Sequence, residues 1–369
     1  MKKKIVCISM ILFLLLQLTG CSLIQNTNPE PKTEYKDEGT YELALISSFS
    51  SIDGRSFNIE AWNGIMQYAG EHSLSHKEYR PKEKTEQACT DAIQQAVRNG
   101  AKVILVQGYL FEVPIYKAQI KYPKVKFVFF DGQPRNSERR YVINKNVCCV
   151  HFAEEQAGYL AGYIAIAEGY RQIGFIGGIA IPSIIRYGYG FVQGADAAVK
   201  DKKIEKEAIN IKYSYTGNFN ASSKNRKLAS SWYDKGTQVI FACGQGVEKV
   251  VLDAAKLAEK KVIGSAVDRC EESDLVIISA IKNTKQVVYK VLSSYYEGTF
   301  QGGSSICADA RIDGIQLTMT TSRLKRFTME EYETLYASLS SGFVRVGKED
   351  AAFDITKLKV KHVAVEYVK

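Results

Sequence analysis

The sequence has 369 residues, of which 46% are hydrophobic, enough for two domains that each bury a core. This composition excludes intrinsic disorder as the general state of the chain. The formal net charge is +9 at pH 7. Because the lysines are dispersed and the N-terminus is an export signal, we expect an anionic cell surface, and not nucleic acid, to be the partner for this charge.

The N-terminal segment 1–21 has the features of a secretory signal. Lys2 to Lys4 precede an apolar stretch over 5–16, which is too short and wrongly flanked for a stable membrane span. The ending LTGC, with Cys21 last, resembles the bacterial lipobox. We therefore predict that Cys21 is lipidated and that the protein is anchored to the extracytoplasmic face of the bacterial cell membrane. An ordinary signal with a chance cysteine is the alternative.

A polar segment follows from residue 22 to residue 40. It contains prolines, lysines and glutamates but no apolar periodicity, which predicts a flexible tether between the anchor and a folded body. The body is expected to begin near Tyr41.

Alternating strand and helix patterns predict an N-terminal lobe over residues 41–150. Apolar runs bounded by glycine or polar residues predict strands at 41–47, 101–108 and 125–132. Helical periodicity occupies 58–72, 85–99 and 111–122. This alternation is typical of a parallel α/β unit.

The same alternation predicts a C-terminal lobe over residues 151–281. A helix is expected in AGYLAGYIAIAEG, and strands are expected in RQIGFIGG, INIKYSY, TQVIFACG and KVIGSAV. Further helices are expected at 184–201, up to 234, and at 247–259. Two doubly wound, Rossmann-like α/β lobes are therefore the predicted architecture.

The last part of the chain breaks the alternation. A strand in DLVIISAI leads to a helix near 283–297, ICADARIDGIQLTM predicts a further strand, and 328–340 predicts a helix. We assign about 282–300 to the first lobe and about 304–369 to the second, so that the chain crosses between the lobes several times. Several crossovers predict a cleft with hinged walls.

Ligands of open α/β sheets sit beyond the carboxyl ends of the strands, where loops and helix N-termini gather. This rule selects the loops that should face the cleft and, within them, candidates for ligand contact. The candidates are Ser48, Asp53, Phe57, Asn58, Asp131, Phe219, Gly244, Gly246, Asp268 and Lys282.

Two of these candidates are aromatic. Phe57 stands between Ser56 and Asn58, just before a helical pattern, and Phe219 lies in the stretch TGNFN. A structural phenylalanine normally lies inside a strand or on the buried face of a helix. We therefore expect both rings at loop positions where they contact a ligand. For Phe219, packing under the loop is the alternative.

Three aspartates, Asp53, Asp131 and Asp268, fall in or at the end of strand-to-helix loops. Aspartate in such a loop usually caps a helix or forms a turn. Alternatively, the carboxylates accept hydrogen bonds from ligand hydroxyl or ring N–H groups, with Lys282 as the opposing charge. Both interpretations stay open at the level of the sequence.

Motifs for catalysis or cofactor binding do not occur in the sequence. It contains no G-x-S-x-G elbow and no P-loop, and the glycine-rich stretches 187–190 and 244–246 lack dinucleotide-binding spacing. His72 and His76 are one helical turn apart, but without a third ligand nearby we expect them to be a solvated pair at a helix end. We predict a binding protein with no enzyme activity, cofactor or metal.

The sequence has eight cysteines. Cys7 leaves with the signal, and Cys21 carries the lipid on this interpretation. The other six form no C-x-x-C pair, and most sit in apolar runs typical of core positions. The sequence leaves open whether any of them form disulfides: Cys89, Cys148, Cys149, Cys243, Cys270 and Cys307.

Several segments, taken in order, resemble the basic membrane protein family of substrate-binding lipoproteins, which includes purine-nucleoside receptors of bacterial ABC transporters. The matching stretches are SFNIEAWNG, FVFFDG, FAEEQAGYLAGYIA, IGFIGGIAIPSIIRYGYGFVQGADAA, YTGNFN and SAIKN. The resemblance covers nearly the whole mature chain, from about Tyr41 to at least Phe343. The resemblance implies a type I periplasmic-binding-protein fold, no catalysis, and ABC permease subunits as partners.

The resemblance also implies roles for four candidates in the cleft. Phe57 and Phe219 would stack on the two faces of a base, which contributes about 1 to 3 kcal/mol per base. Asn58 and Asp131 would hydrogen-bond the polar edges of the base. The phenylalanine that opens the first helical pattern would thus be half of an aromatic sandwich.

Two further candidates have roles toward the sugar. The sequence also departs from the family pattern at positions in the loops of the cleft. The resemblance implies that Asp268 and Lys282 hold the ribose or close the cleft. Ser48 stands where family members often carry an acidic residue, and Ala266 and Val267 stand where polar residues are common. Both departures bear on which base or sugar fits.

We predict a lipid-anchored, monomeric, nucleoside-binding component of an ABC importer, with a purine nucleoside as the leading ligand. The first alternative is the same fold binding another small polar ligand, such as a sugar or signal molecule, which would not need a two-sided aromatic clamp. The second is a surface sensor or adhesin without a transport role. A ligand-regulated transcription factor is disfavoured, because the N-terminus is an export signal and not a DNA-binding module.

Overall fold

Two β-sheets, each covered by helices on both faces, make up the described part of the protein. The computed structural model describes residues 39–47, 56–204, 208–349, 351 and 354–369, which contain thirteen strands and nine α-helices. Within those ranges, no helix combines the length and the apolar character needed to cross a membrane.

Six strands, all paired in parallel, form the first sheet. They are β1 (Leu43–Ile46), β2 (His76–Tyr79), β3 (Val103–Gln107), β4 (Lys126–Phe130), β5 (Val147–Phe152) and β11 (Ser304–Ala308). Their order across the sheet is β11-β5-β4-β3-β1-β2. The central strands β1, β3 and β4 are buried on both faces, which explains why the sequence shows them as continuous apolar runs.

Four helices cover the first sheet. They are α1 (Phe57–His72), α2 (Glu86–Arg98), α3 (Glu112–Lys121) and α8 (Thr284–Tyr296). On one face, Ile65 of α1 and Val288 of α8 join Leu105 in one apolar cluster. On the other face, Ile93 of α2 packs in a second cluster with Ile104. The sheet is therefore doubly wound, as its apolar strands predict.

Seven strands form the second sheet. They are β6 (Gln172–Gly177), β7 (Asn210–Tyr215), β8 (Val239–Cys243), β9 (Lys261–Ala266), β10 (Val276–Lys282), β12 (Ile315–Leu317) and β13 (Ala364–Tyr367). Their order is β12-β10-β9-β8-β6-β7-β13. All neighbours pair in parallel except β12, which runs antiparallel to β10. The sequence pattern gave no indication of β13.

Five helices accompany the second sheet. They are α4 (Glu154–Ala167), α5 (Pro182–Asp201), α6 (Ser223–Asp234), α7 (Gln245–Ala258) and α9 (Met329–Ser340). Leu160 of α4 and Phe191 of α5 belong to the apolar cluster on one face of the sheet. Trp232 of α6 and Val251 of α7 belong to the cluster on the other face.

Helices α4 and α5 pack so closely that their contact requires glycine. A methyl group on Gly158 or Gly162 of α4, or on Gly190 or Gly194 of α5, would collide with a backbone carbonyl of the facing helix. A backbone carbonyl cannot move aside as a flexible side chain can, so these positions exclude larger residues. The glycine at 190 in the stretch 187–190 is thus a packing residue, in agreement with the absence of cofactor spacing.

The chain passes between the two sheets three times within the described residues, after β5, after β10 and after β11. The third passage corrects the sequence analysis, which expects one strand in ICADARIDGIQLTM and places everything after 304 in the second lobe. Residues 304–308 pair with β5 in the first sheet, whereas residues 315–317 pair with β10 in the second. A local pattern does not show which distant strand a segment pairs with. The single pattern therefore did not reveal that this stretch contains two strands in different sheets.

A second correction concerns the two histidines near the end of α1. The helix ends at His72, because Ser73 adopts a left-handed conformation with φ of 54°, and His76 begins β2. The two side chains are therefore not one turn apart on a helix. Strand β2 lies at the edge of the sheet and has the polar sequence HKEY, so no apolar run indicated it.

Candidate functional site

A cavity of about 180 Å³ lies between the two sheets, where the carboxyl ends of strands meet helix N-termini. The residues that line it from the first lobe are Ser56, Phe57, Asn58 and Gln107. Lys282, at the end of β10, also lines it. The residues that line it from the second lobe are Ser183, Ile184, Tyr187, Gly244, Gln245, Glu248, Ser265, Ala266, Val267 and Arg269. Loops that the cleft rule for open α/β sheets selected therefore lie at this cavity.

The first turn of α1 supplies the aromatic wall. The Ser56 side chain accepts a hydrogen bond from the Ile59 backbone N–H, so Ser56 is the N-cap and Phe57 is the first helical residue. The sequence analysis places Phe57 in the loop, one residue outside the helix. Its ring packs edge-on against Phe130 and Phe152, with centroid distances of 5.4 and 6.3 Å. Phe57 thus rests on the core and also lines the cavity.

A buried charge cluster lies at the end of β10. Lys282 Nζ is 2.8 Å from Asp131 Oδ2 and 2.6 Å from Glu154 Oε1. Gln107 Nε2 donates to the same Asp131 oxygen at 3.2 Å, and Arg186 Nε donates to Glu154 Oε2 at 2.7 Å. Asp131 belongs to the first lobe, whereas Glu154 and Arg186 begin the second, so the cluster connects the lobes where the chain passes between them.

The charges in this cluster stabilise one another. Burial by itself would raise the pKa of Asp131, but the Lys282 ammonium and the Gln107 hydrogen bond hold that pKa below its ordinary value. Burial likewise opposes the charged form of Lys282, but Asp131 and Glu154 outweigh it and raise the pKa of Lys282. Asp131 and Lys282 are therefore both ionised at neutral pH.

Glu155 lies beside the cluster without a comparable partner. Burial raises the pKa of Glu155 to about 7, and the neighbouring Glu154 carboxylate adds to the rise. Arg186 Nε is 3.8 Å from Glu155 Oε2 and compensates only in part. Glu155 is therefore a carboxyl group that titrates near neutral pH.

A second ion-pair cluster lies wholly within the second lobe. Glu248 Oε1 accepts hydrogen bonds from the Ser265 backbone N–H at 3.0 Å and from the Ser265 hydroxyl at 2.5 Å. Arg269 Nη2 is 2.6 Å from Glu248 Oε2, and Arg269 Nη1 is 2.8 Å from Glu272 Oε1. Burial would lower the pKa of Arg269, but the two carboxylates raise it. Glu248, Ser265 and Arg269 all line the cavity.

Sequence reasoning missed this second cluster. Glu248 lies in the first turn of α7, directly after the selected loop 243–246, and Arg269 follows the selected Asp268. Glu248 is buried, but burial is known only from the structure, and its neighbours Val247 and Lys249 give no local signal that this glutamate turns inward. No local pattern indicates that Arg269, and not Asp268, reaches the cavity.

Four predicted residues line the cavity together: Phe57, Asn58, Gly244 and Lys282. Asp131 does not line the cavity but forms an ion pair with Lys282, which does. Three other sites, Ser48, Asp53 and the lipidation residue Cys21, lie outside the described residues, so their roles stay predictions.

Phe219 and Gly246 are placed beside the cavity and do not line it. The Phe219 ring, 36% exposed, lies directly against Gly178 and Gly244, where a side chain at either glycine would collide with it. A Cβ at Gly246 would collide with the backbone carbonyl of Phe219. Gly246 thus serves the packing of the loop around Phe219, and Phe219 reaches the cavity's edge through Gly244.

Asp268 accepts hydrogen bonds from its own loop and from a neighbouring turn. Its Oδ1 accepts from the Cys270 backbone N–H at 2.9 Å, and its Oδ2 accepts from the Thr321 hydroxyl at 2.7 Å. Of the two interpretations left open by the sequence, turn formation describes these contacts.

The described residues offer no metal site and no disulfide. Nowhere in the described ranges do three His, Cys, Asp or Glu side chains cluster so as to hold a metal ion. The six cysteines in those ranges are free thiols, five of them buried and only Cys307 exposed. Burial raises the pKa of Cys148 to about 11, so this thiol stays protonated and unreactive.

Two doubly wound lobes, three passages between them and a cavity at the carboxyl ends of their strands define a protein with the type I periplasmic-binding-protein fold. Solved structures agree in fold. An ABC transporter solute-binding protein from Conexibacter woesei superposes with a TM-score of 0.68 at 22% identity, covering 84% of this chain and 99% of that one. One from Aeropyrum pernix gives 0.65 at 20% identity, covering 84% and 94%.

The chain belongs to the family of PnrA-like ABC transporter substrate-binding proteins, which matches residues 43–350. The "ABC transporter nucleoside-binding protein BmpA" of Lactococcus lactis is 27% identical over 351 residues, covering 88% of this chain and 94% of the relative. "Basic membrane protein D" of Borreliella burgdorferi is 24% identical over 337 residues, covering 88% and 94%. The predicted family is thereby confirmed. Its members bind a small-molecule ligand outside the cytoplasm and work with ABC permease subunits.

Proposed function

We propose that the protein is a lipid-anchored, nucleoside-binding component of an ABC importer and binds its ligand, preferably a purine nucleoside, in the cavity between the lobes. The observation that carries this proposal is the ring of Phe57, which faces the cavity beside the polar side chain of Asn58. A flat base can stack on such a ring for about 1 to 3 kcal/mol while its edge meets hydrogen-bonding groups. The name of the Lactococcus lactis relative points to the same class of ligand.

The charges around the cavity favour an uncharged ligand. Lys282 is balanced by Asp131 and Glu154, and Arg269 is balanced by Glu248 and Glu272. Each of these cations already has two carboxylate partners, so neither has charge to spare for a phosphate group. A nucleoside therefore fits this environment better than a nucleotide.

The proposal retains a second ring, Phe219, on the other face of the base. Phe219 belongs to the second lobe and lies against Gly244, which lines the cavity. A small movement of the lobes or of loop 216–222 on ligand binding would bring the ring onto the base. Binding is proposed to involve no catalysis and a single copy of the chain.

Calorimetric titration with adenosine, guanosine, inosine and cytidine tests the ligand class, with ribose and glucose as sugar controls. We expect saturable binding of at least one purine nucleoside at one site per chain and no binding of the sugars. Native mass spectrometry of protein purified without added ligand provides an independent check through any retained mass. Binding of a sugar but of no nucleoside would overturn the proposal in favour of the first alternative.

The anchor is proposed from the LTGC ending at Cys21, and a fractionation experiment tests it. The Cys21→Ser variant should leave the membrane fraction, because segment 22–40 has no apolar face of its own and a lipid supplies the membrane affinity. The matched control Cys307→Ser, an exposed cysteine of the folded body, should stay with the membrane. A Cys21→Ser protein that remains membrane-bound would contradict the lipobox interpretation.

A further inference from the structure

The second-lobe wall of the cavity has few polar side chains of its own at the end of β9. Ala266 and Val267 line the cavity there and carry no hydrogen-bonding side-chain atoms. The polar groups at this wall come instead from the neighbouring Ser265, Glu248 and Arg269. Recognition of a polar ligand on this side therefore depends on that cluster.

Glu248 directs its carboxylate to the protein. One oxygen accepts two hydrogen bonds from Ser265, and the other oxygen is paired with Arg269 Nη2. With both oxygens engaged, the main consequence of Glu248 is to fix the guanidinium in one orientation. Glu272 holds Nη1, and the Arg269 backbone N–H donates to the Ser279 hydroxyl at 3.0 Å, so the residue is held at three points.

The third nitrogen of this guanidinium, Nε, differs from the two that are paired with carboxylates. Arg269 Nε is buried and has no hydrogen-bond partner among the described residues, although its side chain is only 12% exposed and lines the cavity. A buried N–H without an acceptor is unfavourable, and arginine has no acceptor of its own. Nε is closed to solvent in this structure, so an acceptor from the cavity would satisfy it if the movement that brings the lobes together also exposes this atom.

The local charge decides which acceptor suits this position. Arg269 lies between Glu248 and Glu272, so the three side chains together carry one net negative charge. A phosphate or carboxylate would be repelled, whereas a hydroxyl oxygen accepts from Nε without adding charge. The base is assigned to Phe57 on the opposite lobe, which leaves the sugar for this wall.

We propose that Arg269 is a specificity-determining residue whose Nε–H donates to a sugar hydroxyl of the bound ligand, and that Glu248 is the residue that positions it. This inference rests on the nucleoside-binding function proposed above and goes beyond it, because it assigns sugar recognition to Arg269 and not to Asp268. The bound ligand would then supply a hydrogen-bond partner for the Nε–H, which has none among the described residues.

The test is a set of titrations in which both the ligand and the protein are changed. Adenosine and guanosine are compared with their 2′-deoxy and 3′-deoxy forms on the native protein and on Arg269→Lys, which keeps the charge facing Glu248 and Glu272 but has no Nε–H. The native protein should bind one deoxy form about 10- to 100-fold more weakly than the ribonucleoside. Arg269→Lys should bind the ribonucleoside more weakly by a similar factor and lose the discrimination.

Glu248→Gln and a distant control complete the set. Glu248→Gln should reduce the same discrimination ratio, a readout that a general loss of stability would not change. Arg135→Lys alters an arginine paired with Glu112 in the first lobe, away from the cavity, and should keep the native ratio. If Arg269→Lys does not fold, the neutral double variant Glu248→Gln with Arg269→Gln replaces it, and the same loss of discrimination is expected.

The outcomes separate the two proposals. If nucleosides bind but Arg269→Lys keeps the native preference for the hydroxyl, the role of Arg269 is wrong and the proposed function stands. Equal binding of ribo and deoxy forms by the native protein has the same meaning. If no nucleoside binds the native protein, both proposals are overturned.

Discussion

Two buried ion-pair clusters border the same cavity, but they connect different parts of the molecule. The cluster around Lys282 joins Asp131 of the first lobe to Glu154 at the start of the second, where the chain passes between the sheets. The cluster around Arg269 joins Glu248 and Glu272, all within the second lobe. In both clusters, burying the charges carries a cost of desolvation.

This difference indicates which charged residues hold the lobes together and which residues affect ligand binding. Removing Lys282 would leave carboxylates of two lobes facing each other at a passage of the chain. Changing the Arg269 cluster alters one wall and leaves the connection between the lobes intact. We therefore expect stability to respond mainly to the first cluster and ligand preference mainly to the second.

The largest expected effect comes from Lys282→Met. It leaves Asp131 and Glu154 without their shared cation, and breaking a buried pair in this way costs about 3 to 5 kcal/mol of the free energy of unfolding. Urea denaturation measures the change. Lys290→Met, which removes an exposed pair with Asp313, is the control and should cost about 0.5 kcal/mol or less. Equal effects of the two variants would contradict an architectural role for the Lys282 cluster.

The next largest effect is the pH dependence of folding stability that Glu155, which lies beside the Lys282 cluster, contributes. Its pKa in the folded protein is raised to about 7, so between its ordinary value and that pH the folded state holds a proton that the unfolded chain has lost. Folding stability should therefore fall as the pH rises through this window, by on the order of 2 to 4 kcal/mol.

Glu155→Gln should remove this contribution. Denaturation at pH 5 and pH 8 should show the variant gaining stability over the native protein at pH 8 and little at pH 5. Comparing the two proteins at each pH cancels the other titrating groups, including the partly buried His151. A difference that does not change with pH would show that Glu155 is ionised in the folded protein at both values.

The aromatic rings should have a smaller effect on stability and a direct effect on binding. Phe57→Ala and Phe219→Ala should each weaken nucleoside binding about 10- to 100-fold. Because Phe57 also packs on Phe130 and Phe152, its truncation should cost about 1 to 3 kcal/mol of stability, whereas the exposed Phe219 should cost less. Titrations and melting curves measure both quantities, with the 88% exposed Phe343→Ala as control. If Phe219→Ala binds nucleosides as tightly as the native protein, the base stacks on Phe57 alone and the aromatic sandwich is wrong.

The smallest effect is expected from Asp268→Asn. The amide keeps an acceptor for the Cys270 N–H but loses the one for the Thr321 hydroxyl, so stability should fall by about 1 kcal/mol. Nucleoside affinity should change by less than about threefold, because the hydrogen bonds of Asp268 to Cys270 and Thr321 serve its loop. A loss of affinity as large as that of Arg269→Lys would instead return sugar recognition to Asp268.

Much of the fold could be predicted from local patterns. The helix α1 begins one residue before the expected start, and α2 lies within the predicted 85–99 with Thr85 as its cap. The strands of the parallel core appear as apolar runs because they are buried on both faces. The edge strands were not predicted, because they are not buried on both faces and so lack a continuous apolar run. Strand β2 is polar, and β11 alternates in exposure at the edge of its sheet.

The candidate site could be predicted only as a set of loops. The rule about carboxyl ends of strands selected loops that do meet at the cavity, including those of Phe57, Gly244 and Lys282. It could not say which side chain of a loop turns inward. In the loop after β9, Asp268 bonds to Cys270 and Thr321 while Arg269 lines the cavity.

The sequence by itself determined the two-lobed α/β class and the family, because hydrophobic periodicity and ordered motifs are local properties of the chain. For the same reason it supports the export signal, which stays a prediction. Only the tertiary structure decided the partners of the charged groups. Asp131 and Lys282 are 151 positions apart in the chain, yet their side-chain atoms lie 2.8 Å apart. Such pairing depends on how the two sheets pack across three passages of the chain, and no local pattern encodes that distance.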